Sequence, residues 1–345
     1  MKVIVNWVLA ICCLFIIVGC SETTTQEPVE TTNTKDEVII EDGEKVEEVE
    51  EVEKQVDKVY TFLAPKSAPV LPGLLMAAGD VEGVSIEIKT WDTIDQLLAS
   101  IQGNEAEFTA VPLNVAANLH AKGLPVQLID VNTWGTVFLV TTDPNVKSLA
   151  DLAGEEIYVS HKSGPPDILF NHYLADQGIA EEVTLQYSTP PEISQMLIAG
   201  KVKHAVIPEP ALSGVRMQLK DELFQVIDFQ EAWHDLYEMD LPQAGIIVNK
   251  EFANNNPQVV KEFLQSYQAA VELLKENPEK VANLAEENIG MKAPMIETAL
   301  NHMIINSVEA IEAKPTLEQY YQILLDSQPE SIGGKVPDEE FYFSK

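Results

Sequence analysis

The side chains best suited to gripping a small molecule fall at the ends of predicted strands. The richest cluster is Ser160-His161-Lys162-Ser163-Gly164-Pro165-Pro166-Asp167, between a predicted strand over 156–160 and a predicted helix over 167–177. Gly164 permits close backbone approach, and N–H groups at a helix start favour an anionic or carbonyl oxygen. The prolines donate no N–H, so donors come from residues beside Pro165, namely Lys162, Ser163 and Gly164. The charge of Asp167 works against an anion there. In the first half, Ala64-Pro65-Lys66-Ser67 also follows a strand and leads into a helix. Ser67 is either a ligand donor or a helix cap. Trp91 follows the second strand and Trp134 lies between two later ones; two such indoles either sandwich a flat or apolar ligand or pack in the core. Pro112 and Asn114 follow the third strand, where Asn114 is a helix cap or an amide contact. Glu209, between Pro208 and Pro210, either accepts a ligand amine or ring N–H or fixes the turn.

Other chemistry is poorly provided for. The only cysteines are Cys12, Cys13 and Cys20, all near the amino end, which leaves no thiol or disulfide in the body of the chain. His161, His204, His234 and His302 show no metal-ligand spacing and are expected at the surface. No metal or cofactor is expected. Arg216 is the only arginine, so no clamp of several guanidinium forks can form. The 345 residues carry 55 acidic and 22 basic side chains, a net charge of −33, which argues against nucleic acid as a partner.

Lys2 precedes an apolar run from Val3 to Val18 interrupted by Asn6, short for a membrane span. It ends at Ile17-Val18-Gly19-Cys20, which resembles the lipobox of bacterial lipoproteins. The resemblance implies a signal peptide over 1–19, cleavage before Cys20, and lipid on its thiol anchoring the chain to the membrane. Residues 21–58 hold 14 acidic and 4 basic side chains and no aromatic residue, the composition of a solvated tether. Within it, Val46, Val49, Val52 and Val56 are near helical spacing, but such a helix needs a partner. Hydrophobic residues make up 46% of the chain, enough for two lobes with real cores beyond the tether. The acidity of that body fits a solubility adaptation or a preference for cationic ligands.

From Val59 strand and helix patterns alternate, predicting an α/β fold whose ligand sites lie beyond the carboxyl ends of the strands. Strands are expected at 59–63, 84–88, 107–111, 126–131, 136–141, 156–160, 183–187, 204–207 and 246–249. Helices are expected at 70–78, 93–102, 114–122, 167–177 and 191–199, and after Asn256 at 257–275, 278–287 and 294–304, each of the last three with proline near its start.

Four segments resemble the substrate-binding proteins of ATP-binding-cassette (ABC) importers, in the nitrate, sulfonate and thiamine-pyrimidine-precursor group. They are Gly103-Asn-Glu-Ala-Glu107 with Ala110-Val-Pro112; Ser148-Leu-Ala-Asp-Leu-Ala-Gly154 with Ile157-Tyr-Val159; Gly200-Lys-Val-Lys-His-Ala205 with Pro208-Glu-Pro210; and Phe252-Ala-Asn-Asn-Asn-Pro257 with Val260 to Leu264. Glu107 and His204 stand where that group often has Asp. The resemblance covers about residues 59–330. It implies a two-lobed type II periplasmic-binding-protein fold with a hinge and a helical C-terminal part. Lobe 1 would be 59–134 plus 246–345 and lobe 2 would be 135–245. The chain would cross near Thr133 to Thr136 and near Gln243 to Ile246, which adds Gln243 to the candidate ligand contacts. It further implies a monomeric, non-enzymatic lipoprotein facing outside the cytoplasm, with a small-molecule ligand and an ABC permease and its ATPase as partners. The tryptophans, Glu209, the acidic body and the single arginine favour an aromatic or heterocyclic ligand; a sulfonate, nitrate or taurine-type anion is the alternative. A sensory lipoprotein, or an enzyme on the same fold, are the competing roles.

Overall fold

The computed structural model describes residues 58–344. The expected signal peptide, Cys20 and all of the acidic tether but Lys58 lie outside the described residues. Tyr-Thr-Phe-Leu-Ala after Val59 is buried on both faces, as suits a strand covered by helices on each side. It forms β1 (Tyr60–Pro65), followed by α1 (Val70–Ala77), β2 (Ile86–Trp91), α2 (Ile94–Gln102), β3 (Phe108–Pro112), α3 (Leu113–Ala121) and β4 (Val126–Gly135). Thr93 and Gln96 form a reciprocal capping box that starts α2 just beyond Trp91. The middle of the chain gives β5 (Val137–Thr141), β6 (Glu156–Ser160), α4 (Pro165–Asp176), β7 (Thr184–Ser188), α5 (Pro190–Ile198), β8 (His204–Pro208), α6 (Ala211–Leu219), β9 (Phe224–Asp228) and α7 (Phe229–Tyr237). The remainder is β10 (Ala244–Asn249), α8 (Lys250–Asn255), α9 (Pro257–Glu276), α10 (Pro278–Ile289), α11 (Ala293–Leu300), β11 (Ile304–Glu309) and α12 (Ala310–Ser327).

These strands make two sheets. The first has the order β11-β4-β10-β3-β1-β2, the second β7-β6-β8-β5-β9. β1, β2 and β3 are parallel, whereas β10 runs antiparallel to both β3 and β4. In the second sheet β6 is parallel to β7 and β8, and β5 is antiparallel to β8 and β9. A single residue, Thr136, separates the last residue of β4 in the first sheet from the first residue of β5 in the second. The chain returns to the first sheet after α7, entering β10 at Ala244. The two passages are bonded to each other: the Gln243 N–H donates to the Thr133 carbonyl at 2.9 Å.

Several elements differ from the sequence reading. The helix expected over 294–304 stops at Leu300, and Ile304–Glu309 pairs with β4 as an edge strand. Its Ile304 is 48% exposed, so the alternation that marks a half-buried strand is weak there. β9, α6 and α7 were not expected; Asp228 starts α7 by accepting from the Gln230 N–H at 2.9 Å. β4 extends past Val131 to Gly135, which brings Trp134 into the strand.

Three apolar clusters hold the molecule. One covers a face of the first sheet under α1, α9, α10 and α11, with Phe108 and Phe263 stacked at 3.8 Å. A second packs α5 and α6 on the second sheet. The third is shared: Leu63, Val111 and Leu128 of the first sheet join Leu139, Val159 and Val206 of the second, with Trp134, Trp233 and the buried stripe of α12 between them. Asp130 on β4 is fully buried; desolvation pushes its carboxyl up to about 8, against the lowering effect of the Ser307 hydroxyl, which donates to it at 2.6 Å.

Candidate functional site

A cavity of about 80 Å³ lies where the carboxyl ends of β1, β2, β3, β6 and β8 converge on the two passages between sheets. The first sheet contributes Pro65, Ser67, Ala68 and Pro69 after β1, Trp91 at the end of β2, Ile94 just beyond it, and Val111 with Pro112 at the end of β3. The second contributes His161, Gly164, Pro165 and Pro166 after β6, and Pro208 with Glu209 after β8. Thr133, Thr136, Val137, Gln243 and Ala244 form the part of the wall built by the passages. A larger groove of about 600 Å³ between α1, β2 and α10 is lined from the first sheet's side alone, so the two halves cannot close on it.

Eight sequence-singled residues meet at the cavity: Pro65, Ser67, Trp91, Pro112, Gly164, Pro165, Glu209 and Gln243. Trp91 is 5% exposed and fixed by its indole N–H, which donates to the Ala110 carbonyl at 3.2 Å. Ser67 does not cap α1: the position before that helix is Pro69, and no side-chain hydrogen bond caps it. Gly164 is required at its place, because a Cβ would sit 2.9 Å from the His161 carbonyl oxygen. His161 and Ser163 on either side adopt left-handed backbone, at φ 52° and 63°. The turn is braced by Asp167, which accepts from the Ser163 N–H at 2.7 Å and from the Tyr187 hydroxyl at 2.8 Å. Asp167 is thus spent on its own loop and on β7.

Four singled residues are not brought to the cavity. Trp91 and Trp134 both belong to the shared apolar cluster, but only Trp91 lines the cavity, so the two do not face each other across it. Asn114 neither caps α3, which starts after Pro112, nor lines the cavity; its Nδ2 donates to the Ser163 carbonyl at 3.1 Å, joining the two sides of the molecule. Asn114 and Ser163 instead line an adjoining groove of about 440 Å³. Lys162 holds its ammonium 5.1 Å from the centre of the Tyr187 ring. Its place was assigned from the loop's sequence, and packing of one exposed side chain on a neighbouring strand is not visible there.

The cavity has no lysine or arginine in its lining. Its titratable groups are Glu209 and His161. Glu209 is fully buried, and desolvation raises its pKa; the Ser213 N–H, which donates to Oε2 at 2.8 Å, and the Arg216 guanidinium, 3.5 Å from Oε1, oppose the rise. Burial lowers the pKa of His161, which favours the neutral imidazole. His161 was expected at the surface, and so was His204, which is 2% exposed and bonded to Thr141 at 2.9 Å. Sequence reasoning also missed Thr136, although the passage containing it was marked. Among the described residues no cluster of three or more His, Cys, Asp or Glu is placed to hold a metal ion.

Two sheets joined by paired passages, with a cavity at their strand ends between them, define the two-lobed type II periplasmic-binding-protein fold. Solved structures agree on it. An ABC transporter protein from Parabacteroides distasonis is 24% identical, with 84% of this chain and 100% of that one covered at a TM-score of 0.68. The periplasmic aliphatic sulphonate binding protein SsuA of Escherichia coli is 17% identical over 83% and 92%, at 0.67. The alkanesulfonate-binding protein SsuA of Xanthomonas axonopodis pv. citri, solved bound to MOPS, is 16% identical over 81% and 94%, at 0.61. No curated protein matches. The model of the NMT1/THI5-like family matches residues 80–281, and the chain belongs to that family.

Proposed function

We propose that the protein is an extracytoplasmic binding protein of an ABC importer, which captures a small molecule between its lobes and passes it unchanged to a permease driven by its ATPase. The observation that carries this reading is the cavity's position: both sheets and both passages wall it, so rotation of one lobe on the other opens and closes it. Family membership and the named fold relatives support it. Lobe 1 is then residues 59–134 with 246–345, lobe 2 is 135–245, and lipid on Cys20 holds the monomer at the outer face of the membrane. The cavity of about 80 Å³ is smaller than the roughly 300–1,000 Å³ of sites enclosing drug-sized ligands. A ring-sized ligand therefore requires the lobes to part.

The ligand is an aromatic or heterocyclic compound bearing N–H groups. Trp91 offers it an aromatic wall, Glu209 an acceptor, and the lining lacks a cation for an anionic group. An alkanesulfonate is the second reading, favoured by the two sulfonate-binding relatives. Native mass spectrometry of the purified protein, followed by thermal-shift screening of what co-purifies beside a solute panel, tests both. At a ligand concentration of about 100 Kd the expected stabilisation is ~2.7 kcal/mol. Stabilisation by heterocycles and not by alkyl sulfonates or nitrate is expected. The reverse pattern would refute the heterocycle, and no stabilisation by any solute would refute capture itself.

A further inference from the structure

Resting on the solute-capture reading, we propose that α6 and α11 form the gate of the cleft. The two halves part between these helices while the shared apolar cluster stays packed, and the bare flank of Gly214 is what lets Met295 seat when the gate shuts. Alternation along the strands divides the apolar clusters by sheet face. Phe62 and Ala64 of β1 face a cluster made of first-half residues alone, and Phe138 and Val140 of β5 face one made of second-half residues alone. Leu63 of β1 and Val137 and Leu139 of β5 face the cluster that both halves share with Trp134, Trp233 and α12. On that side Gln328 also spans the halves, its Nε2 donating to the Ile168 carbonyl at 2.8 Å. Parting the halves there would expose common core to water. The two separate clusters meet where α6 approaches α11, and parting them there leaves both intact.

The contact itself is suited to opening. Leu212, Val215 and Leu219 turn the apolar face of α6 to the second sheet, and Ala293, Ile296 and Ala299 turn that of α11 to the first. Among the described residues no hydrogen bond or ion pair links the two helices. What remains is shape. Met295 lies against Gly214, where a Cβ would sit 3.3 Å from its Sδ, tighter than ordinary contact. Glycine weakens a helix interior, so its place in α6 answers to this close approach. Met295 is unbranched and adaptable, able to seat and withdraw without disturbing its neighbours. The gate is also tied to the cavity. Glu209 on the cavity wall accepts from the Ser213 N–H at 2.8 Å through Oε2 and is ion-paired with Arg216 at 3.5 Å through Oε1. Movement of that wall therefore carries the turn of α6 on which Gly214 lies.

Hydroxyl-radical footprinting of the full chain tests the direction of opening, because radicals oxidise the side chains that solvent reaches. The protein carrying its co-purified solute is compared with protein stripped by dialysis from guanidinium. Where none co-purifies, the most stabilising member of the solute panel is added instead. Met295 is expected to oxidise several-fold faster in the stripped protein, with Trp134 and Trp233 unchanged and Met217, already 40% exposed, as the reference. Gly214→Leu keeps a good helix former in α6 but should weaken binding of the same solute about tenfold. Adding Met295→Ala to that variant should restore the affinity, a rescue that damage to α6 alone would not allow. Met295 equally protected in both states, or protection lost at Trp233 in its place, overturns the gate and leaves capture standing. So does a Gly214→Leu variant that binds as wild type does. A protein that holds no solute and is stabilised by none overturns capture and gate together.

Discussion

The two flanks of the passages between lobes carry different buried polar side chains, an amide and a carboxylate on one and indoles on the other. On the cavity flank, Gln243 and Glu209 are buried, the first with its Nε2 unpaired and the second ion-paired with Arg216. On the other flank, Trp134 and Trp233 lie in an apolar cluster that reaches the cavity through Trp91, Val111 and Val137; their indole N–H groups are also buried without partners, and the Trp233 ring lies 5.8 Å from Tyr320 of α12 and 4.6 Å from Tyr237. Apolar packing is non-directional and holds across small rotations. Hydrogen-bonding groups are directional and are satisfied only when a partner is correctly placed. A joint backed by aromatic rings coheres by itself, while the amide of Gln243 and the carboxylate of Glu209 stand in an otherwise mostly apolar cavity wall.

The largest expected break of this contrast is on the apolar flank. Trp233→Ala should cost about 3–5 kcal/mol of stability, as truncation of a buried tryptophan does, measured by urea denaturation. A loss below 1 kcal/mol would mean that the two lobes do not depend on this cluster. Next in size is the pair of indoles. Trp91→Ala should weaken ligand binding by about 1–3 kcal/mol, whereas Trp134→Ala should reduce stability and leave the affinity of the folded protein nearly intact. Titration of both variants decides it, and equal losses of affinity would erase the distinction between the flanks. The smallest effect is at the bond between lobes. Asn114→Ala removes the link to the Ser163 carbonyl and should shift the balance toward an open form by about 0.5–1.5 kcal/mol. Small-angle scattering with and without ligand reads the shift; identical profiles for variant and wild type would show that the bond does not help hold the lobes together.

The same contrast explains what was legible in the sequence. Strand ends followed by proline, glycine or a helix start are local signals, and they located Pro65, Ser67, Trp91, Pro112, Gly164, Pro165 and Glu209 at one place in the fold. Which way a side chain faces at such an end is a tertiary matter. Trp134 looked like a cleft residue because of its place in the chain, but its surroundings come from α7 and α12, about 100 and 180 residues later. Asn114 looked like a cap because Asn often is one; its partner is a carbonyl 49 residues away. His161 stood in the candidate loop but was expected at the surface, since a left-handed backbone at a histidine has no sequence marker as strong as glycine. The strand Ile304–Glu309 was hidden by an exposed isoleucine at its head.

Thr136 is the lone residue between a strand of one sheet and a strand of the other, and it is also the residue that aligns Gln243 and Glu209. One amino acid therefore belongs both to the link between the sheets and to the cavity wall. On the capture reading, a substitution there is expected to disturb the joint and the pocket together, so that neither can be retuned alone.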